Sequence, residues 1–377
     1  MNNPEKMNGQ WIGSYTGTTD GPIHVNIDED ESNYLGVAYL FNNNKELPPA
    51  VAYFASPKKE GEFSFRTDPI KAIDQASGLP VEWKSIEDKY PKNVAFSKYA
   101  DVRGSVDADT LTLSWITDIG VTGRCVLPRS KADRPSELVP LEQDWGTFKQ
   151  YGIQRASGRP LFRGQNKPFR LRTPFHRSGR ADLLRFVLND VPELKRHLSA
   201  RTKHVFNLEN QQEYGAFINL AQHHGYPTPV LDWTYSPYVA TFFAYRGIKN
   251  EAAAKADPEA KVRIFIFDSA AWVRNFEAVA YLAPPKLHVT VRQFDAIENE
   301  RMIPQQAAST VSSIDDIETY IRTRETDTIK YLHAVDLPVR ERRHVMRELS
   351  YMGITAGSLF PGLDGACEEL AERNFDF

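Results

Sequence analysis

Residues 222–244 read QHHGYPTPVLDWTYSPYVATFFA. The second half of this stretch is a helix signal. Ser236 can cap the first turn, Pro237 suits the first helical position, and Gly247 lies where the helix should end. The first half is a connection stiffened by Pro227, Pro229 and Pro237, which lowers the entropy lost on ordering it. It follows a second helix signal, NQQEYGAFINLAQHHG, with Tyr214, Phe217, Ile218 and Ala221 on one face and Gly225 as the stop. Polar groups held between two helices admit two readings. In one, Ser236 and Asp232 only bond nearby backbone amides, and His224 only ends a helix. In the other, the connection is a wall of a ligand site, with Trp233 as an apolar surface and Asp232, Thr234 and Ser236 as polar anchors.

Outward from this stretch the chain has two grammars. Residues 1–135 carry short runs of period-2 alternation, such as GQWIGSYTG, PIHVNID, TLTLSWITD and GRCVLP, separated by Gly, Asn, Asp and Pro clusters. They predict an all-β barrel or sandwich with one half-buried face per strand and a tryptophan, Trp11, plugging one end. Alternation stops near Pro128, and the charged, proline-bearing segment that follows places a linker at 136–144. Residues 145–377 read as α+β. Leu183, Leu184, Val187, Val191, Leu194 and Leu198 fall close to helical spacing, with Pro192 as a break or new start. VRIFIFD predicts a central strand buried on both faces; LHVTV and YLHAVDLP predict further strands, and RERRHVMRELSYMG and DGACEELAERN closing helices.

Length and charge bound the function. The chain has 377 residues, 41% of them hydrophobic and 25% charged, with a formal net charge of −3. Basic residues are therefore a local feature: Arg163, Lys167, Arg170, Arg172, Arg177 and Arg180 fall within 162–180 without an acid. A solvated face, a nucleic-acid groove and an anion pocket compete to explain them. A groove would call for more interleaved aromatics than Phe169 and Phe175, so nucleic acid is not an expected partner. An anion pocket fits Arg163 best, with Arg172 and Arg177 next. Cys125 and Cys367 stand far apart without ligand partners at metal-site spacing, so no metal site and no disulfide scaffold are expected. The polar N-terminus and the lack of a long apolar run predict a soluble, cytoplasmic chain with no membrane contact.

Four segments carry a family resemblance: FRGQ at 162–165, QHHGYPTPVLDWTYSPYVATFFA at 222–244, ERMIPQQAAST at 300–310 and SLFPGLDG at 358–365. In order and spacing they resemble the FRG domain, a bacterial family, over roughly 145–377. The layout of that family is similar to that of ADP-ribosyltransferases. The resemblance implies an ADP-ribosyltransferase-like fold that takes NAD as substrate, with transfer of ADP-ribose or cleavage of NAD, in a phage-defence or toxin-like role. Arg163 beside Gly164 would hold phosphate or ribose, Thr234 or Ser236 would orient the nicotinamide ribose, and Trp233 would stack on the ring. The third segment supplies glutamines rather than a glutamate, with Gln306 able to fix a ribose hydroxyl but not to counter charge. Asp232 or His224 would then carry the chemistry. The alternative is a non-enzymatic protein that binds a nucleotide or a partner in the same pocket, with the β-rich unit receiving a ligand or a protein trigger.

Overall fold

The computed structural model describes residues 6–58, 61–279, 282 and 285–375. The first ten strands are β1 (Gly9–Gly17), β2 (Gly21–Glu29), β3 (Asn33–Leu40), β4 (Ala50–Pro57), β5 (Glu62–Thr67), β6 (Ile70–Ile73), β7 (Pro80–Val81), β8 (Ala100–Val106), β9 (Thr110–Thr117) and β10 (Thr122–Pro128). They form one antiparallel sheet in the order β5-β8-β9-β10-β1-β2-β3-β4-β6-β7. The expectation of a barrel or sandwich is thus met only in its β character: among the described residues the ladder order is open, from β5 to β7. The sheet nevertheless curls. β5 pairs with β8 and β6 with β4, so one short stretch of chain supplies strands near both margins. Tyr53 on β4 also exchanges backbone hydrogen bonds with Asp68 and Pro69, between β5 and β6, which ties the margins together.

Alternation holds on β10, where every second residue is buried. It fails on β2, where Ile23 to Asp28 are all buried. One face of β2 carries Ile23, Val25 and Ile27 into the interior of the curled sheet. The other carries His24, stacked on Tyr39 at 4.7 Å, Asn26, which accepts from Gln10, and Asp28, which meets the second half of the chain. The expected half-buried strand is doubly covered because the two units pack together. Asn8 donates to the Gly179 carbonyl, Gln10 donates to the Ser313 carbonyl and accepts from the Asp315 amide, and Asp28 accepts from Arg180 and from the Ala181 and Asp182 amides.

The second sheet contains β11 (Leu141–Glu142), β12 (Leu161–Gln165), β13 (Val230–Thr234), β14 (Lys261–Phe267), β15 (Val289–Arg292), β16 (Ala307–Ser312) and β17 (Leu332–Pro338), in the order β11-β17-β14-β12-β13-β16-β15. β11 runs parallel to β17 and the other neighbours are antiparallel. Segment 136–144 is therefore bound to this unit: it contributes β11, and Ser136 and Glu137 donate backbone amides to Pro168 and Glu318. β14 is central and buried on both faces. Val262, Ile264 and Ile266 pack on one side with Phe242 and Tyr245 of helix Pro237–Tyr245 and Leu349 of helix Arg342–Tyr351. Phe265 and Phe267 pack on the other with Trp233 and Trp272. The helical run after Leu183 is not broken at Pro192 but starts anew there, with Pro192 in the first turn of Val191–Leu198. A widened turn, Phe186–Asp190, separates Leu183–Arg185 from Val191–Leu198, because proline supplies no amide to the preceding turn.

Candidate functional site

The sheet parts between β12 and β13. β12 pairs with β14 over all five of its residues and β13 pairs with β16 over all five of its own, but β12 and β13 share only Phe162 and Thr234. Beyond that pair the strands diverge, and the Asp232 carbonyl faces the gap without a β12 amide to bond. Arg163 fills this need: its Nη1 donates to the Asp232 carbonyl at 2.6 Å. A cavity of about 320 Å³ lies at the parting, bordered by Arg163, Gly164, Asp232 and Thr234 from the strands. Asn219, Gln222 and His223 border it from helix Gln211–His223, and Arg301, Gln305 and Phe360 from later segments.

Arg163 and Asp232 do not form the ion pair that a buried arginine would favour. Instead the Asp232 carboxylate accepts from Gln222 Nε2, and Gln222 Oε1 in turn accepts from the Thr228 hydroxyl. Thr228 is fully buried, so this relay fixes the carboxylate from behind. Asp232 is accessible from the cavity yet flanked by protein on its other sides. Desolvation raises its pKa, while the charge of Arg163, the Gln222 hydrogen bond and the charge of Arg177 pull it down. Desolvation also lowers the Arg163 pKa, to about 10, which leaves it cationic at neutral pH. Its Nε is buried and has no hydrogen-bond partner among the described residues. Burial, followed by Arg301 and His224, pushes the His223 imidazole down to about 4, so that it is neutral at physiological pH.

A second cavity of about 410 Å³ adjoins the first across Arg163, Gly164 and Phe243. Gln165, Lys167, Arg172 and Arg177 line it, as does Asp133. Arg172 is committed to Asp315 through both carboxylate oxygens. Arg177 is exposed, and donates through Nη1 to the Arg172 carbonyl at 2.6 Å. The basic run therefore divides. Arg170 and Arg180 are held in ion pairs with Glu137 and Asp316 and with Asp28 and Asp190. Arg163, Lys167 and Arg177 give the cleft its available positive charge.

The structure redistributes several residues singled out in the sequence. Arg163, Asp232 and Thr234 meet at the cavity. His224 does not: it is the exposed residue that ends its helix, and His223 borders the cavity in its place. Gln306 does not: it sits before β16 in a left-handed turn with φ of 47°, exposed, while its neighbour Gln305 borders the cavity and donates to the Leu359 carbonyl. Ser236 caps its helix by accepting from the Val239 amide. Trp233 is 3% exposed, its ring packed near Phe267 and its indole donating to Thr310 at 3.0 Å, so it offers no stacking surface. Gly164 serves close packing, since a Cβ there would lie 1.8 Å from the Ala240 carbonyl oxygen. Thr234 donates to the Gln305 carbonyl at 2.7 Å and so ties β13 to the third segment. Asn219, Gln222 and His223 had a legible signal: they stand at i, i+3 and i+4 on one helix, a polar stripe beside the apolar one.

Residues 158–253 match the sequence model of the FRG domain. The chain carries an FRG domain. The match contains β12, β13 and the polar stripe, and so most of the cavity; Arg301, Gln305 and Phe360 of the pocket lie beyond it. No curated protein matches the chain. Among the described residues, no group of three or more His, Cys, Asp or Glu could hold a metal ion, and no helix is long and apolar enough to cross a membrane.

Proposed function

We propose that the FRG domain binds NAD across the two adjoining cavities and breaks its nicotinamide–ribose bond, passing ADP-ribose to water or to an acceptor. The observation that carries this reading is one carboxylate, Asp232, set in a cavity that opens across Arg163 onto a basic cleft. A pyrophosphate needs cations in donor geometry, which Arg163 and Arg177 supply. The bond breaks with its electron pair leaving on the nicotinamide nitrogen, and the ribose becomes oxocarbenium-like. A carboxylate beside that carbon stabilises the developing charge, and the Gln222–Thr228 relay holds Asp232 in place for it. Asp232 takes the part that a glutamate on the third segment would otherwise play.

The test is nicotinamide release from NAD by the full chain and by Asp232→Asn, with NAD affinity and a thermal melt measured on the same samples. Turnover by the wild type, and its loss in a folded variant that still binds NAD, is the expected result. A folded wild type that neither binds NAD nor releases nicotinamide overturns the proposal. Binding without turnover would reduce the site to a nucleotide receptor.

A further inference from the structure

The interior of the curled N-terminal sheet is not full. A cavity of about 180 Å³ remains, lined among others by Val25, Ala38, Ala52, Phe54, Phe65 and Trp115. Among the described residues, none of those lining it is charged. An engineered apolar cavity of roughly 150 Å³ takes up benzene, so this space suits one six-membered ring or a short aliphatic chain. An unfilled void forfeits dispersion contacts along its walls, which an occupant restores.

The cavity has a polar end. Tyr15 Oη donates to Asn42 Oδ1 at 2.7 Å and lies 3.3 Å from Thr19 Oγ1, and Asn42 Nδ2 donates to the Pro48 carbonyl. Tyr15, Thr19, Asn42 and Thr122 all line the cavity. They sit in or beside the connections that follow β1, β3 and β9. In an antiparallel sheet these connections lie at one end. The opposite end of the same strands is shut. Trp11 is 1% exposed there, its indole donating to the Met7 carbonyl, with the Arg129 guanidinium over its ring at 4.5 Å. Asn8, Gln10 and Asp28, which hold the FRG unit, are at this shut end too. The polar mouth and the docking contacts are thus at opposite ends of β1 and β2.

We propose that this cavity is a binding site for a small uncharged molecule with an apolar body of one ring or a short chain and a single hydrogen-bonding group. The body occupies the space beside Ala38 and Ala52, and the polar group meets Tyr15 and Asn42. An anion is excluded because the lining offers no counter-charge, and an unpaired charge in apolar surroundings is costly. The inference is independent of the chemistry assigned to the FRG cavity.

The experiment is calorimetric titration of the full chain at pH 7 with p-cresol, benzyl alcohol and hexanol, and with benzoate as an anion of matched size. Intermolecular nuclear Overhauser effects from the bound p-cresol methyl then locate it in the wild type. At least one neutral probe should bind one-to-one, with benzoate weaker by about tenfold or more. The p-cresol methyl should contact the Ala38 and Ala52 methyls. Ala38→Phe, which fills the space, should weaken binding by about tenfold or more without lowering the melting temperature; Ala52→Leu serves if Ala38→Phe does not fold. Three results would each overturn the proposal: no saturable binding of any neutral probe, benzoate binding as tightly as p-cresol, or a folded cavity-filled variant that binds unchanged. Overhauser contacts only to residues of the FRG cavity would do the same.

Discussion

Asp182 lies where the two units meet, 8% exposed, and its burial has a consequence for pH. Desolvation raises its pKa from 3.8 to about 6, the nearby Asp28 carboxylate adds to the rise, and hydrogen bonds from the Arg185 and Leu184 amides and the charge of Arg180 oppose it. The folded protein thus holds this proton more tightly than the unfolded chain does. Stability from this group is fullest below pH 3.8, falls as pH rises to about 6, and stays low above that. At about 1.36 kcal/mol per pH unit, the span corresponds to about 3 kcal/mol. Asp182→Asn removes the charge but keeps a side-chain oxygen to cap the Arg185 amide. The variant should therefore be more stable than wild type at pH 7.5, by up to about 3 kcal/mol, with the gap closing as pH approaches 4. Urea unfolding of both proteins across pH 4–7.5 measures the gap. Buried neutral histidines such as His24 and His176, both held at about 3, destabilise the fold as pH falls below 6.5, but they do so equally in the two proteins and cancel. A gap that does not change with pH, or a variant less stable at pH 7.5, would refute the reasoning.

Two further outcomes are expected. Gly164→Ala should cost about 3 kcal/mol or more in urea unfolding, because the new methyl meets backbone atoms of Ala240 and Ala244 that move only with their helix; a loss under about 1 kcal/mol would show that the helix yields. His223→Ala should change NAD turnover at least several-fold while His224→Ala leaves it within about twofold, since only His223 borders the cavity; equal effects would return the site to the helix end.

The parts of the fold that follow from period were legible in the sequence. Alternation up to Pro128, the doubly buried run at 262–267 and the Ser236 cap each have a local cause that a window of residues contains. β2 was not legible, because its second covered face depends on a unit more than 150 residues away in the chain. The site was legible where a motif fixed it, at Arg163 and Asp232, and missed by one residue where backbone geometry intervened. On a helix one residue is a rotation of about 100°, which turns His224 outward and His223 inward. Before β16 the positive φ of Gln306 turns that side chain to solvent and leaves Gln305 at the cavity. The parting of β12 from β13 has no signature in either strand taken alone.

The pairing of β11 with β17 joins residues 141–142 to residues 335–336. A chain made from its N-terminus can complete the ten-stranded sheet by residue 128, when the segment leading into β11 has not yet been synthesised. The second sheet lacks the neighbour of β11 until nearly two hundred more residues have followed. From the time residue 267 is made until β17 follows, β14 is exposed along the edge that β17 will cover, and it is the most apolar strand of the unit. The already folded N-terminal unit, through Asp28, offers the growing chain a polar template at Arg180–Asp182 long before that edge is closed. Vectorial synthesis would therefore favour assembly of the FRG unit onto a finished neighbour, and a chain released from denaturant all at once must find the β14–β17 pairing without that order.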